Sequence, residues 1–275
     1  MRLVHVSDLH FGAVSPLLPE ALKSAILAAK PEVLVVSGDL TQRGRASEFQ
    51  EARSFLDSIP LPQLVVPGNH DVPRWWLLWE RFRRPWSHYR KFIQTDLEPV
   101  WTSPDLFIVG ANSARVAGWH PDWSRGKLTR HQMDRLVRLG TQAEADALRV
   151  LVVHHPPAAP PQGIKRHLIG RQREFSESVN RAGVDLVLAG HFHISYAQTL
   201  PLTGGESSRN CVLSAVSTAT SHRLKGEPNG FHVIEGDSHG IVILPWIWNG
   251  AEYLPGKPWR FQCEPGKRDW REVSA

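Results

Sequence analysis

The chain has 275 residues, 41% of them apolar and 21% charged, which excludes a disordered polymer and fits one large core with peripheral additions. Its 32 basic and 27 acidic residues leave a net charge of +5, a lean toward anionic partners that does not by itself imply nucleic acid. Two cysteines, Cys211 and Cys263, are too few for a disulfide framework and are expected as free buried thiols.

Residues 2–7 read as a buried strand and 16–30 as a helix, with Leu18, Leu22 and Ile26 at helical spacing and Pro31 ending it. A strand at 33–36 runs into Gly38-Asp39. Ser47 is expected to cap a helix reaching Ser58, and a strand at 63–66 delivers the turn Pro67-Gly68-Asn69-His70-Asp71. This βαβαβ rhythm predicts a parallel sheet with helices outside.

Residues 73–98 break the rhythm, because the run from Trp75 to Trp86 is dense in Trp and Arg. Two helical pieces around Pro85 are expected. A lid, a peripheral membrane contact, a dimer face and a core-packed helix with snorkelling arginines all fit that composition.

A strand at 106–110 ends at Asn112-Ser113, a helix at 129–140 starts on the cap residue Thr129, and a strand at 149–153 meets His154-His155. The Pro-rich stretch 156–171 reads as a rim loop whose Lys165, Arg166, His167 and Arg171 meet a phosphate or face water. A helix at 172–182 and a strand at 184–189 bring in Gly190-His191-Phe192-His193. Short strands follow at 195–200, 210–216, 230–235 and 240–246, the last two as a hairpin, and are expected to build a second, more antiparallel sheet. Residues 1–248 are taken as one catalytic domain with a helical insertion at about 73–98. Residues 249–275 are taken as a C-terminal extension, either a last edge strand or a loose tail.

Five apolar strands are thus followed at once by metal-ligand residue types. Carboxyl ends of strands are where open α/β sheets bind ligands, so these turns can converge although they lie far apart in sequence. Asp8, His10, Asp39, Asn69, His154, His191 and His193 offer carboxylate, imidazole and amide donors without thiolate, a set suited to Mn, Fe or Zn rather than to structural zinc. Seven donors exceed one ion's needs. With a bridging Asp they suit two ions roughly 3.5–4 Å apart, a geometry that activates water against a phosphoryl group.

Asp8-Leu9-His10, Gly38-Asp39, Gly68-Asn69-His70-Asp71, His154 and Gly190-His191-Phe192-His193 resemble, in order, the five motifs of the calcineurin-like metallophosphoesterases. The flanking residues, Ser7 to Gly12 and His154 to Pro157 among them, look most like the class III cyclic-nucleotide phosphodiesterase branch. The resemblance implies an α/β fold, a four-layer αββα sandwich of two mixed sheets. It implies that Asp8, His10 and His193 hold one ion and Asn69, His154 and His191 the other, with Asp39 bridging. It also implies that His70 acts on the leaving oxygen with Asp71 orienting it, and that a hydroxide bridging the ions attacks phosphorus in line. Asn112 and Arg171 are substrate-contact candidates.

The expected substrate is a small anionic phosphodiester, a 3′,5′-cyclic nucleotide first. A nucleotide–lipid pyrophosphate of the UDP-diacylglucosamine type is the alternative. A nuclease is weaker, since no long basic stripe is present, and a metal-free scaffold should have lost ligands. No apolar run approaches the ~18 residues of a membrane span, and Asp8 comes too early for a signal peptide, so a cytoplasmic location is expected. An oligomer is left open.

Overall fold

The computed structural model describes every residue except 74–77, 118–123, 162, 164–167, 205–207, 265–266 and 274–275. Its first half alternates as the apolar runs predict: β1 (Arg2–Val6), α1 (Leu18–Ala28), β2 (Val33–Val36), α2 (Ala46–Asp57) and β3 (Gln63–Val65), then one short 3-10 turn, Asn69–Asp71. Strands β1, β2 and β3 are parallel, and all four residues of β2 are buried, as continuous apolar runs in parallel sheets should be. Helix α2 begins after Arg45 rather than at Ser47. Glu48 reaches back to accept the N–H groups of Arg43 (2.7 Å) and Arg45 (3.3 Å), and that fixes the start one residue ahead of the serine.

Two short helices follow, α3 (Leu78–Arg83) and α4 (Ser87–Phe92), split at Pro85, then β4 (Val100–Ser103), a strand without a sequence signal. Next come β5 (Leu106–Gly110), α5 (Arg130–Gly140), β6 (Leu148–Val152), α6 (Gln172–Arg181), β7 (Leu186–Ala189), β8 (Tyr196–Leu202) and β9 (Arg209–Ala215). Thr129 caps α5 as its sequence suggests: its hydroxyl accepts Gln132 N–H at 3.2 Å, and Gln132 Oε1 accepts Thr129 N–H at 2.7 Å. The chain closes with β10 (Gly230–Gly236), β11 (Gly240–Trp248), β12 (Tyr253–Pro255), β13 (Trp259–Cys263) and β14 (Trp270–Glu272).

The strands assort into two mixed sheets. One runs β14-β13-β11-β10-β1-β2-β3 with β12 beside β11, the other β4-β5-β6-β7-β9-β8. Apolar side chains of both sheets, from Leu3, Val35 and Leu64 to Ile108, Val150 and Leu188, form the layer between them. Helices α1 and α2 cover one outer face, and α5 and α6 the other. This is the four-layer α/β sandwich.

The assignment of chain halves to sheets is corrected. The middle of the chain builds the second sheet around a parallel core, β5-β6-β7-β9, and the late strands return to the first sheet, β10 lying antiparallel to β1 from Arg2↔Glu235 to His5↔His232. The free edge of β1 needed a partner, and strand sequences do not encode which edge they join. Residues 253–272 extend the same sheet. Trp270 is fully buried, its Nε1 donating to Asp185 at 3.1 Å and its indole in the layer between the sheets.

Candidate metal centre

The donors sit where five parallel strands end. The turn after β1 is laid along the turn after β2 by Asp8 N–H to Gly38 O, His10 N–H to Asp39 O and Phe11 N–H to Leu40 O, 2.8–3.0 Å each. Five of the seven candidate ligands, Asp8, His10, Asp39, His191 and His193, hold left-handed backbone with φ of 51–71°. Such conformations cost about 1 kcal/mol or more for a non-glycine residue and persist only where the surroundings fix them. Here they point successive donors inward instead of alternating them across the sheet. Glycines make room: a Cβ on Gly68 would stand 2.1 Å from Asp39 Oδ1, and one on Gly190 1.9 Å from Ser7 Oγ.

One cluster joins Asp8, His10 and His193. His193 Nε2 is 3.1 Å from Asp8 Oδ1 and 3.2 Å from His10 Nε2, and His10 Nε2 is 3.6 Å from the same carboxylate oxygen. A second joins Asp39, His154 and Asn69: His154 Nε2 is 3.3 Å from Asp39 Oδ2 and 3.2 Å from Asn69 Oδ1. Asp39 Oδ2 also lies 3.8 Å from His10 Nε2, so one carboxylate oxygen stands between the clusters. The His191 ring is 5.2 Å from that of His154.

Each central imidazole is aimed from behind. His10 Nδ1–H donates to Thr41 O (3.3 Å), His154 Nδ1–H to Ser37 O (2.8 Å) and His193 Nδ1–H to Arg223 O (3.0 Å). A carbonyl only accepts, so each ring in its neutral form would turn its Nε2 lone pair toward the common centre, the arrangement that metal-binding histidines require.

The electrostatics demand positive charge. Asp8 and Asp39 are fully buried, which alone would raise both carboxyls; His193 and His10 for Asp8, and His154, His70 and His10 for Asp39, outweigh burial and hold both well below the usual carboxylate range. The same attraction, seen from the other side, lifts His154 against its own burial to about 9. Asp8 Oδ1, buried at the centre, accepts no hydrogen bond among the described residues. Two ionised buried carboxylates, one of them with an orphaned oxygen, facing a ring of Nε2 lone pairs are a donor set that fits divalent cations. Among the described residues, the Asp and His ligand atoms fall into four overlapping groups within 4.8 Å: Asp8/His10/His193, Asp8/Asp39/His154, His10/Asp39/His70 and His154/His155/His191.

Proximity overstates one of these. His155 Nε2–H donates to Ser124 O (2.7 Å) and its Nδ1 accepts from Ser113 Oγ (2.8 Å), so neither nitrogen is left for a cation. Burial and neighbouring His154 push it down to about 3. It is a neutral strut, as is His5, whose Nε2 meets Ser37 Oγ at 2.8 Å.

His70 flanks the centre, its ring 4.8 Å from that of His10, its N–H on Asp39 Oδ1 (2.8 Å) and its Nδ1–H on Gln42 O (2.8 Å). Burial first, with His10 and Arg223 adding, pushes its imidazole down to about 4 against the pull of Asp39. The expectation that Asp71 orients this ring is corrected. Its carboxylate instead accepts Gly68 N–H (2.8 Å), Leu40 N–H (3.2 Å) and the Thr41 N–H and hydroxyl (2.9 Å each), tying the turns after β2 and β3 together. Desolvation makes that demanding, and with Asp39 nearby the carboxyl rises to about 6.

Asn112 is half-buried, its Oδ1 accepting Ala114 N–H at 3.0 Å. Arg171 lies at the start of α6 against Leu128 O (3.4 Å), beside Lys127. Neither contacts a candidate ligand among the described residues. Sequence reasoning missed Arg223, which holds His193 through its carbonyl and Gln42 Oε1 through its guanidinium (3.1 Å) beside His70. It lies in a motif-free loop and gave no signal. Trp75 and Trp76, with Lys165, Arg166 and His167, lie outside the described residues. Trp79 is 70% exposed with the Arg83 guanidinium 4.4 Å over its ring, and Leu78 and Phe82 are 48% and 54% exposed.

Residues 1–195 match the family described as calcineurin-like phosphoesterase. The chain belongs to that family. It is 28% identical over 217 residues, 74% of this chain and 77% of the relative, to a probable cyclic nucleotide phosphodiesterase of Synechococcus sp.. It is 37% identical over 174 residues, 57% of each chain, to a glycerophosphodiester phosphodiesterase of Enterobacter lignolyticus. A UDP-2,3-diacylglucosamine pyrophosphatase of Chlamydia muridarum is 22% identical over 90% of this chain and 66% of its own. Among solved structures, a purple acid phosphatase from yellow lupin superposes with a TM-score of 0.66 at 11% identity, over 93% of this chain and 52% of the other, which speaks to fold alone. The family makes the chain a calcineurin-like phosphoesterase; the phosphodiesterase names are those of the relatives. No helix among the described residues is long and apolar enough to cross a membrane.

Proposed function

We propose that this phosphoesterase works with two cations and hydrolyses small phosphodiesters, 3′,5′-cyclic nucleotides first. The observation that carries the two-cation reading is the position of Asp39 Oδ2, 3.3 Å from His154 Nε2 and 3.8 Å from His10 Nε2. Asp8, His10 and His193 would hold one ion, Asn69, His154 and His191 the other, with Asp39 shared; Mn and Fe suit this oxygen and nitrogen set, and Zn is compatible. Bound there, the ions supply a water of lowered pKa and withdraw charge from phosphoryl oxygens.

The chain's own groups do the rest. Gln42 O fixes His70 so that Nε2 faces the centre. Neutral in the free protein, that nitrogen gains proton affinity beside an anionic phosphodiester and can pass a proton to the departing oxygen. Arg223, held by Gln42, is placed to meet a phosphoryl oxygen.

Cyclic nucleotides rank first because the motif flavour and several relatives' names agree. The exposed Leu78, Trp79 and Phe82 on α3 favour the second reading, a lipid-bearing nucleotide pyrophosphate held partly by that surface. Turnover of 3′,5′-cyclic AMP, a glycerophosphodiester and UDP-2,3-diacylglucosamine with added Mn is the test. Cleavage of either of the latter two without cyclic AMP would remove the first choice, and full activity after exhaustive chelation would remove the cations.

A further inference from the structure

A cavity of about 300 Å³ has none of the candidate metal donors in its lining, although Ser195 there follows His193 by two residues. It lies between the start of β10, the end of β11 and the start of β13, under the loop between β9 and β10. That volume is at the lower bound of small-molecule sites. Its aromatic wall is the indole of Trp259, braced by His232 with ring centroids 5.5 Å apart; Trp246 belongs to the opposite face of the sheet, where its ring stacks on Phe231, and borders the cavity from its backbone beside Gly230.

Three polar groups face this apolar space. Glu227, half-buried, uses one oxygen, Oε2, on Ser195 N–H at 2.6 Å, and burial raises its carboxyl; its other oxygen has no donor among the described residues. Ser217 is 2% exposed, and its hydroxyl has no hydrogen-bond partner among the described residues. Lys257, at the rim, has no ion pair among them. A hydrocarbon would leave Glu227 and Ser217 desolvated without partners, a simple amine would meet Lys257, and a simple anion would meet Glu227. A flat heterocycle with N–H donors on its edge and an attached anion satisfies all of them at once. The Trp259 indole offers one stacking face, a carboxylate accepts from a base's amino group, and an ammonium takes a phosphate.

We infer that this cavity binds a nucleobase-bearing anion of nucleoside-monophosphate size, at a site separate from the metal centre and independent of which phosphodiester the enzyme cleaves. The loop that carries Glu227 also carries Thr218, whose hydroxyl donates to Asp8 O at 2.6 Å, and Arg223, whose carbonyl holds His193. A ligand there touches the frame of the catalytic rim.

The test titrates adenosine 5′-monophosphate and adenosine into the metal-loaded full chain, by calorimetry and by quenching of tryptophan fluorescence. Asp39→Asn should keep this binding. Trp259→Ala and Glu227→Gln should weaken it on the order of tenfold or more while turning over bis(p-nitrophenyl) phosphate at the wild-type rate. Lys257→Glu, an exposed change that leaves the core alone, should weaken the monophosphate but not adenosine. Binding that disappears in Asp39→Asn, that ignores both Trp259→Ala and Glu227→Gln, or that is undetectable at millimolar nucleotide would overturn the proposal. So would capture of tryptamine in preference to the nucleotide.

Discussion

Buried histidines occur in two regions of this molecule, and they differ in where the second ring nitrogen goes. At the rim, His10, His154 and His193 give Nδ1–H to a backbone carbonyl and leave Nε2 for the centre. Beside the inter-sheet core His232, and just behind the rim His155, use both nitrogens. His232 sits between Ser214 Oγ (2.8 Å) and Ser195 Oγ (2.7 Å), and burial pushes it down to about 3. A histidine at a strand end is therefore not a ligand by position alone, since His154 and His155 are neighbours with opposite fates. What separates them is the other nitrogen: both rings give an N–H to a carbonyl, but Ser113 Oγ occupies the second nitrogen of His155.

The comparison breaks most visibly at His154 itself. His154→Ala should lose the second ion and lower turnover on the order of 10³-fold, measured as kcat with metal content determined alongside, while the fold persists by circular dichroism. Trp270→Ala attacks the other region. Emptying that fully buried indole and freeing Asp185 should cost roughly 3–5 kcal/mol by urea denaturation, with kcat per folded molecule retained. Equal loss of metal in both variants would erase the distinction.

Smaller effects sharpen it. His70→Gln should reduce kcat about 10²-fold with metal stoichiometry unchanged, because the ring flanks the centre without being assigned a place in it. His155→Gln should leave metal content intact and cost about 1–3 kcal/mol of stability through the broken Ser113 and Ser124 contacts; a missing ion would make His155 a ligand after all. The mildest case involves thiols alone. Burial pushes Cys211 up to about 12, so a disulfide reagent should find at most Cys263 in the native protein and both after denaturation.

The sequence by itself showed most of the strands, the main helices and the seven candidate donors, though not β4 or the strands of the tail, because apolar periodicity and a ligand type after a strand are local signals that survive in one dimension. Tertiary structure alone decided that β10 joins β1, that Asp71 braces backbone N–H groups instead of His70, and that Arg223 stands at the rim. Each depends on which distant segment lies alongside, as do the left-handed turns at Asp8 and His191, which persist only because packing from other strands holds them.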